Sequence, residues 1–209
     1  MNSNDRITIG KRCKIHSSVV IGTLPQHLDY YHKKKCNDSG KIIIGNDVII
    51  REFVNIHLPM DDYTKIGDNN FIMSHCHIAH DCYLEDNVIL ATGTHLAGYV
   101  RIMQDARLGL NCCIHQYTTI GSYSMIGMGS IITKDIPPFV VFNNNYGCYK
   151  INKVGMARNG FSESEIREVD TYYHFGSPIS SVKVKSQIQS FHALRNPSRK
   201  IYSIGVRVS

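Results

Sequence analysis

Aliphatic residues recur at every sixth position between residues 66 and 132, and a small or β-branched residue nearly always follows four positions later. The aliphatic positions are Ile66, Ile72, Ile78, Leu84, Leu90, Leu96, Ile102, Leu108, Ile114, Ile120, Ile126 and Ile132. An amphipathic helix repeats its apolar face about every 3.6 residues, and a half-buried strand about every two. The strict period of six therefore indicates a solenoid in which a short strand and a corner alternate.

The same period begins near the N-terminus and is interrupted twice. Residues 9–21 keep it, whereas residues 23–41 lose it and are rich in polar, aromatic and basic side chains. The repeat resumes at Ile44, and residues 58–65 then contain a four-residue excess. Insertions into solenoids usually emerge at a corner and often carry binding residues. We therefore expect the first insertion to contribute to a binding site.

The repeat ends at Pro137 and Pro138, because proline has no N–H to donate to a β-ladder. Helical signals follow: a short segment at residues 150–159 before Gly160, a capping box at Ser162 and Glu165 opening a helix to about Phe175, and helical spacing of Val184, Ile188, Phe191 and Leu194. The pattern predicts an all-β parallel β-helix over residues 1–138, with an inserted loop at about 23–41, and a short α-helical domain over 139–209.

The composition fits a protein that works in the cytoplasm. No apolar run approaches the roughly 20 residues of a membrane span, and the first residues lack the apolar segment of a secretion signal. The chain has seven cysteines, of which Cys13, Cys76, Cys82 and Cys112 occupy the small position of the repeat. We interpret these four as buried thiols acting as small hydrophobic side chains, without disulfide bonds.

The net charge of +6 does not indicate a nucleic-acid partner. Basic residues are scattered apart from a run at residues 33–35, and no nucleic-acid-binding motif is present. A mildly basic surface also suits an acidic carrier protein or a phosphorylated substrate.

Histidine is concentrated in one part of the repeat, at His75, His77, His80, His95 and His115. His77 and His95 follow an aliphatic position by five residues, and His80 follows one by two, so none occupies an inward position. Packing in the core therefore does not explain them. We expect exposed imidazoles, which can act as general bases at neutral pH.

Recognised hexapeptide solenoids are triangular prisms with three hexapeptides in each turn. If this chain resembles them, residue n lies beneath residue n + 18. His77 then lies beneath His95, and His80 lies beneath Gly98, which in turn lies beneath Gln116. A glycine beside a histidine allows a reacting group to approach a backbone N–H closely.

The segments "NNFIMSHCHIAHDCYLEDNVILATGTHLAGYVRI", "CIHQYTTIG" and "DIPPFV" resemble the UDP-N-acetylglucosamine O-acyltransferase family, which begins lipid A biosynthesis. The motifs "IIREFVNIH" and "RNGFSESEI" extend the similarity to about residues 21–166. The resemblance implies a divergent and shortened member with a left-handed parallel β-helix, a C-terminal helical domain and a homotrimeric assembly.

The resemblance also implies roles for individual residues. His80 corresponds to the general base, Asp81 to its orienting partner, and Gly98 to the residue whose N–H stabilises the oxyanion. The positions that correspond to substrate-binding residues are Gln26, His77, Tyr99, His115, Gln116, Asn152 and Arg158. The implied reaction transfers an acyl group from an acyl carrier protein or coenzyme A thioester to a hydroxyl of a nucleotide-linked amino sugar, between subunits and without a metal or organic cofactor.

Several acceptor-recognition positions depart from the family's pattern. The family's Gln-Asp-Leu-Lys-Tyr loop reads Gln-His-Leu-Asp-Tyr at residues 26–30, so an acid replaces the basic residue. Tyr99 replaces a histidine, Val154 a glutamate and Asn159 an arginine. The resemblance therefore defines the type of reaction more closely than the acceptor.

Three alternative functions are compatible with these residues. An acetyl-CoA-dependent transferase could O- or N-acetylate a nucleotide sugar. Histidine is a common zinc ligand, so a β-helical enzyme of the carbonic anhydrase kind is a second alternative. A non-catalytic scaffold that keeps only the solenoid is the third.

Overall fold

A computed structural model describes residues 3–33 and 36–204, which form a parallel β-solenoid followed by a helical region. A short 3₁₀ helix at Ser3–Arg6 precedes the first strand. The first sheet contains β1 (Ile7–Ile9), β4 (Lys41–Ile44), β7 (Tyr63–Ile66), β10 (Tyr83–Leu84), β13 (Arg101–Ile102) and β16 (Thr119–Ile120). The second contains β2 (Lys14–Ile15), β5 (Ile49–Ile50), β8 (Phe71–Ile72), β11 (Ile89–Leu90), β14 (Arg107–Leu108), β17 (Met125–Ile126), β19 (Val140–Asn143) and β20 (Gly147–Ile151). The third contains β3 (Val20–Thr23), β6 (Asn55–His57), β9 (His77–Ile78), β12 (His95–Leu96), β15 (Cys113–Ile114) and β18 (Ile131–Ile132).

The strand register confirms three hexapeptides per turn. His77 pairs with His95, eighteen residues later, and the same spacing joins Leu84 to Ile102. Earlier in the chain, Ile44 pairs with Ile66. The four-residue excess therefore bulges from the solenoid without changing the register of the strands on either side. From β1 to β19, consecutive strands belong to different sheets, so the chain turns a corner after each of these strands except β19, beside which β20 folds back.

The aliphatic column fills the interior of the solenoid as predicted. Its members from Ile66 to Ile132 are buried, and the thiols of Cys76, Cys82 and Cys112 pack among them. Each of these thiols donates to a backbone carbonyl, such as Ala97 O at 3.2 Å from Cys82 Sγ. All seven cysteines are free. The expectation of a buried thiol is wrong for Cys13, which is half-buried because it lies in the first coil, where one side has no neighbouring coil among the described residues.

Left-handed residues mark the corners between sheets. Asn87, Asp81 and Tyr99, for example, have φ angles of 59°, 59° and 62°. This conformation is uncommon for residues other than glycine, although Asn and Asp tolerate it better than most. The corners therefore determine the directions in which the adjoining side chains project.

The first insertion leaves the solenoid after β3 and contains α1 (Leu28–Lys33). Lys33 forms an ion pair with Asp29 at 2.9 Å. The other lysines of the basic run, Lys34 and Lys35, lie outside the described residues.

The second sheet continues beyond Pro138, because β19 pairs with β17 and β20 folds back antiparallel to β19. Helices α2 (Lys153–Arg158), α3 (Glu163–Phe175) and α4 (Val182–Leu194) follow. The prediction of a helix from residue 150 is wrong at its start, because residues 147–151 pair with β19. The predicted capping box of α3 is confirmed. Gly160 has the predicted positive φ, at 72°.

A buried carboxylate attaches the C-terminal segment to the end of the solenoid. Asp135 is fully buried, and its carboxylate lies 2.9 Å from Arg195 Nε and 3.5 Å from Arg199 Nε. It also accepts the backbone N–H of Thr119 at 2.9 Å. None of the helices within residues 3–33 and 36–204 combines the length and apolar character needed to cross a membrane.

Replacement of Asp135 by alanine is expected to lower the free energy of unfolding by about 3–5 kcal/mol, because it leaves two largely buried guanidinium groups without a carboxylate. Urea unfolding followed by circular dichroism measures this loss. The matched control is Glu163→Ala, which removes a surface ion pair with Arg167 and should cost less than about 1 kcal/mol. Equal effects of the two substitutions would contradict the proposed role of Asp135.

Candidate functional site

His80 and Asp81 form a hydrogen-bonded pair at the corner between β9 and β10. Nδ1 of His80 lies 2.9 Å from Oδ2 of Asp81. The left-handed backbone at Asp81 turns its carboxylate towards the preceding ring. An ionised carboxylate only accepts hydrogen bonds, so we assign the proton to Nδ1, which leaves the lone pair of Nε2 available as a base. The geometry of the pair is compatible with the predicted roles, in which His80 is a general base and Asp81 orients it.

The four-residue excess supplies the groups that hold Asp81. The backbone N–H of Met60 donates to Oδ2 at 2.8 Å, and that of Asp61 donates to Oδ1 at 3.0 Å. The hydroxyl of Thr64 accepts the backbone N–H of Asp81 at 2.9 Å. Both carboxylate oxygens are thus engaged, which restricts the orientation of the carboxylate and of the ring bound to it.

Gly98 lies against the ring of His80, as the stacking of coils predicts. A methyl group at Gly98 would lie 2.5 Å from Cε1 and 2.6 Å from Nε2 of His80, so a larger residue would displace the ring. No acceptor for the Gly98 N–H is found within residues 3–33 and 36–204. A base and an uncommitted N–H donor are therefore adjacent, which is the arrangement that acyl transfer through an oxyanion requires.

The expectation of an exposed imidazole is wrong for His80, which is only 6% exposed. The ring of His27, from the first insertion, meets it edge-on with the centroids 5.4 Å apart. The ring of Tyr99 meets it edge-on from the next coil at 5.2 Å. The insertion and the neighbouring corner thus cover the His80 ring, and this partial exclusion of water strengthens electrostatic interactions around it.

His77 lies on the outer face of the third sheet between two other histidines. Its ring centroid is 4.8 Å from that of His57 and 6.2 Å from that of His95. Burial, followed by repulsion from His57 and His95, lowers the pKa of His77 to about 4. At neutral pH this ring is therefore uncharged and can both donate and accept a hydrogen bond.

The remaining predicted residues near this corner are more accessible. His115 and Gln116 are exposed one coil beyond Gly98, and Gln26 is exposed in the first insertion. The hydroxyl of Tyr99 donates to Oδ2 of Asp61 at 2.9 Å. Burial, with the nearby Asp81 and this hydrogen bond, raises the pKa of Tyr99 above its ordinary value of 10.0, so the phenol stays protonated.

Asn152 and Arg158 lie elsewhere, beside a groove on the second sheet. This groove has a volume of about 840 Å³, an apolar floor that includes Ile89, Leu108 and Met125, and several basic side chains at its rim. Because His80 lies at the corner between the other two sheets, a single chain does not bring these two residues to the His80–Asp81 pair.

Sequence reasoning missed three contributions to the site. His57 is buried beside His77, its Nδ1 lies 2.8 Å from Leu24 O, and its Nε2 has no partner among the described residues. Adding the four-residue excess to the eighteen-residue coil spacing would have aligned His57 with Ala79, at the corner that contains His80. His27 and the N–H groups of residues 60 and 61 carry no periodic signal, because both belong to insertions.

A smaller cavity of about 220 Å³ lies beside the same corner and is lined by Asp81, Tyr99, Arg101 and Arg195, among others. Arg195 of the C-terminal segment and the Asp81 carboxylate thus line the same cavity. Within the described ranges, no three His, Cys, Asp or Glu side chains are grouped so that they could hold a metal ion.

Two family profiles match the chain. The bacterial transferase hexapeptide profile (six repeats) matches residues 63–98. The profile "Udp N-acetylglucosamine O-acyltransferase; Domain 2" matches residues 135–204.

Curated relatives and solved structures give the same similarity. The acyl-[acyl-carrier-protein]–UDP-N-acetylglucosamine O-acyltransferase of Halorhodospira halophila is 37% identical over 79% of this chain and 64% of its own length. That of Burkholderia orbicola is 35% identical over 87% of this chain and 70% of its own. The UDP-N-acetylglucosamine O-acyltransferase structure from Moraxella catarrhalis aligns with a TM-score of 0.80 at 28% identity, covering 94% of this chain and 81% of that one. The UDP-N-acetylglucosamine acyltransferase structure from Bacteroides fragilis aligns with a TM-score of 0.78 at 28% identity, covering 96% of this chain and 83% of that one.

His77 is expected to titrate near pH 4 in the folded protein, well below its ordinary value of 6.5. The unfolded chain binds this proton at the higher pH, so the stability that His77 contributes falls as the pH decreases from about 6.5 to about 4. Imidazole carbon shifts in an NMR titration measure the midpoint.

In this titration, His57→Gln should raise the pKa of His77, because it removes a repulsive neighbour. His192→Gln, on the exposed side of α4, is the control and should leave it unchanged. A midpoint near 6.5 in the unsubstituted protein would show that His77 is not buried as described.

Proposed function

The chain belongs to the UDP-N-acetylglucosamine O-acyltransferase family, and on that premise we propose that it transfers an acyl group from an acyl carrier protein thioester to a hydroxyl of a nucleotide-linked amino sugar. It spans about two thirds of the length of the curated relatives reported above, 64% and 70%. The observation that carries the proposal is the contact between the His80–Asp81 pair and Gly98.

In the proposed reaction, Nε2 of His80 accepts the proton of the sugar hydroxyl, whose oxygen attacks the thioester carbonyl carbon. The carbonyl oxygen becomes an oxyanion, which accepts a hydrogen bond from the Gly98 N–H. Collapse of this intermediate breaks the carbon–sulfur bond, and the departing thiolate takes the proton from Nε2. Asp81 stabilises the imidazolium that exists between these steps. The chain's own groups supply each role, so the reaction as written uses no metal or organic cofactor.

The groove beside Asn152 and Arg158 supports a long acyl donor. Its apolar floor suits a hydrocarbon chain, and the basic rim suits the acidic surface of a carrier protein. An acetyl group would use little of this volume. The groove therefore favours a carrier-bound acyl thioester over acetyl-CoA, which is the alternative donor.

We propose that the active assembly is a homotrimer with sites between subunits. This assembly would allow the second sheet of one subunit, with Asn152 and Arg158, to face the His80 corner of its neighbour. The seven free thiols are typical of a reducing compartment, so we propose that the protein works in the cytoplasm.

The direct test is an acyl-transfer assay of the purified protein with UDP-N-acetylglucosamine, comparing an acyl carrier protein thioester with acetyl-CoA. We expect transfer from the carrier thioester, and a decrease of about 10²–10⁴-fold in His80→Ala because the general base is lost. His192→Ala, on the exposed face of α4, is the matched histidine control and should retain full activity.

Exclusive use of acetyl-CoA would contradict the proposed donor, and full activity of His80→Ala would contradict the proposed base. Since His80 is buried, the melting temperature of His80→Ala should be measured in parallel, with His80→Gln as a variant of closer size. Failure to act on any nucleotide sugar would favour the scaffold. Stoichiometric zinc in the purified protein, with activity that depends on it, would favour the metalloenzyme.

A further inference from the structure

Tyr99 connects two coils of the solenoid through its hydroxyl group. Its ring stacks on that of Tyr117, with centroids 4.6 Å apart, and its edge-on contact with His80 fixes the ring on the other side. This placement directs the hydroxyl to Oδ2 of Asp61, at 2.9 Å. Tyr99, which lies between β12 and β13, is thus bonded to the bulge formed by the four-residue excess.

Asp61 transmits this contact to the catalytic pair. Its side chain accepts from Tyr99, while its backbone N–H donates to Oδ1 of Asp81 at 3.0 Å. The bulge is held from its other side by Asn37, whose N–H donates to Met60 O at 2.7 Å. The hydroxyl of Tyr99 therefore bonds the bulge to the coil that contains Gly98.

We propose that Tyr99 is a positioning residue: through Asp61 it holds the N–H groups of Met60 and Asp61 against Asp81, and so maintains the orientation of the His80 ring. Its effect on turnover rests on the acyl-transfer function proposed above, whereas its effect on the bulge does not. A positioning role differs from the direct substrate contact that the family resemblance implies, because loss of the hydroxyl then lowers kcat and leaves KM nearly unchanged.

The test compares Tyr99→Phe and Asp61→Ala with two matched controls. Asp61→Asn keeps a carbonyl oxygen that can accept from Tyr99. Tyr117→Phe removes a hydroxyl of the same column for which no partner is found within residues 3–33 and 36–204. Steady-state kinetics gives kcat and KM, and hydrogen exchange followed by NMR gives the protection of the Met60 and Asp61 amides.

Tyr99→Phe and Asp61→Ala should each lower kcat by about tenfold, with KM within about twofold, as expected for loss of one hydrogen bond. Exchange of both amides should accelerate by about tenfold or more. The double variant should be no slower than either single variant, because the two groups act as one unit. Asp61→Asn and Tyr117→Phe should stay within about threefold of the unsubstituted protein in every measurement.

A raised KM with unchanged kcat in Tyr99→Phe would assign the hydroxyl to the substrate and overturn the proposal. Unchanged amide exchange in both test variants would also overturn it, whatever the kinetics. If the unsubstituted protein shows no acyl transfer, the proposed function fails. Amide exchange and the ¹⁵N shifts that report the His80 tautomer then still decide whether Tyr99 positions the pair.

Discussion

The parallel ladder that places each residue beside the one eighteen positions later is the constraint on which the rest of the structure depends. Backbone hydrogen bonds between coils hold this register, and the buried aliphatic column prevents a shift, because a slip would move apolar side chains to the surface. The ladder brings Gly98 against His80 although the two are far apart in sequence. The proposed catalytic arrangement is therefore a consequence of coil length.

The two insertions add groups that contact the His80–Asp81 pair, which the ladder places beside Gly98. The first insertion covers His80 with His27, and the second supplies the N–H groups that hold Asp81. Both leave the solenoid at corners: the second keeps the strand register on either side, whereas the pairing of β3 with β6 shifts between Ile21 and Thr23, where the first insertion begins. The substitutions at Asp29, Tyr99 and Asn159 relative to the family pattern lie in an insertion, at a corner and after a helix. These positions can thus differ from the family pattern while the ladder keeps His80 against Gly98.

Much of the fold and half of the site were predictable, because their determinants are local or periodic. The aliphatic column and the capping box of Ser162 follow from spacing alone, and the contact of His80 with Gly98 follows once the three-hexapeptide turn of similar solenoids is assumed. The burial of His80 was not predictable, since it depends on His27 in a segment without periodicity. The start of α2 was also mispredicted, because pairing of residues 147–151 with β19 is a non-local contact that overrides local helical preference.

The central claim is that the Gly98 N–H and the Nε2 atom of His80 act together on one reacting carbonyl, and the kinetics of Gly98→Ala test it most directly. A methyl group at this position would meet the His80 ring at 2.5 Å, so the ring must move while the ladder on either side remains. The account predicts an unchanged circular dichroism spectrum with a loss of about 10²–10³-fold in kcat. Activity within about twofold of the unsubstituted protein, in a variant that is folded, would contradict it.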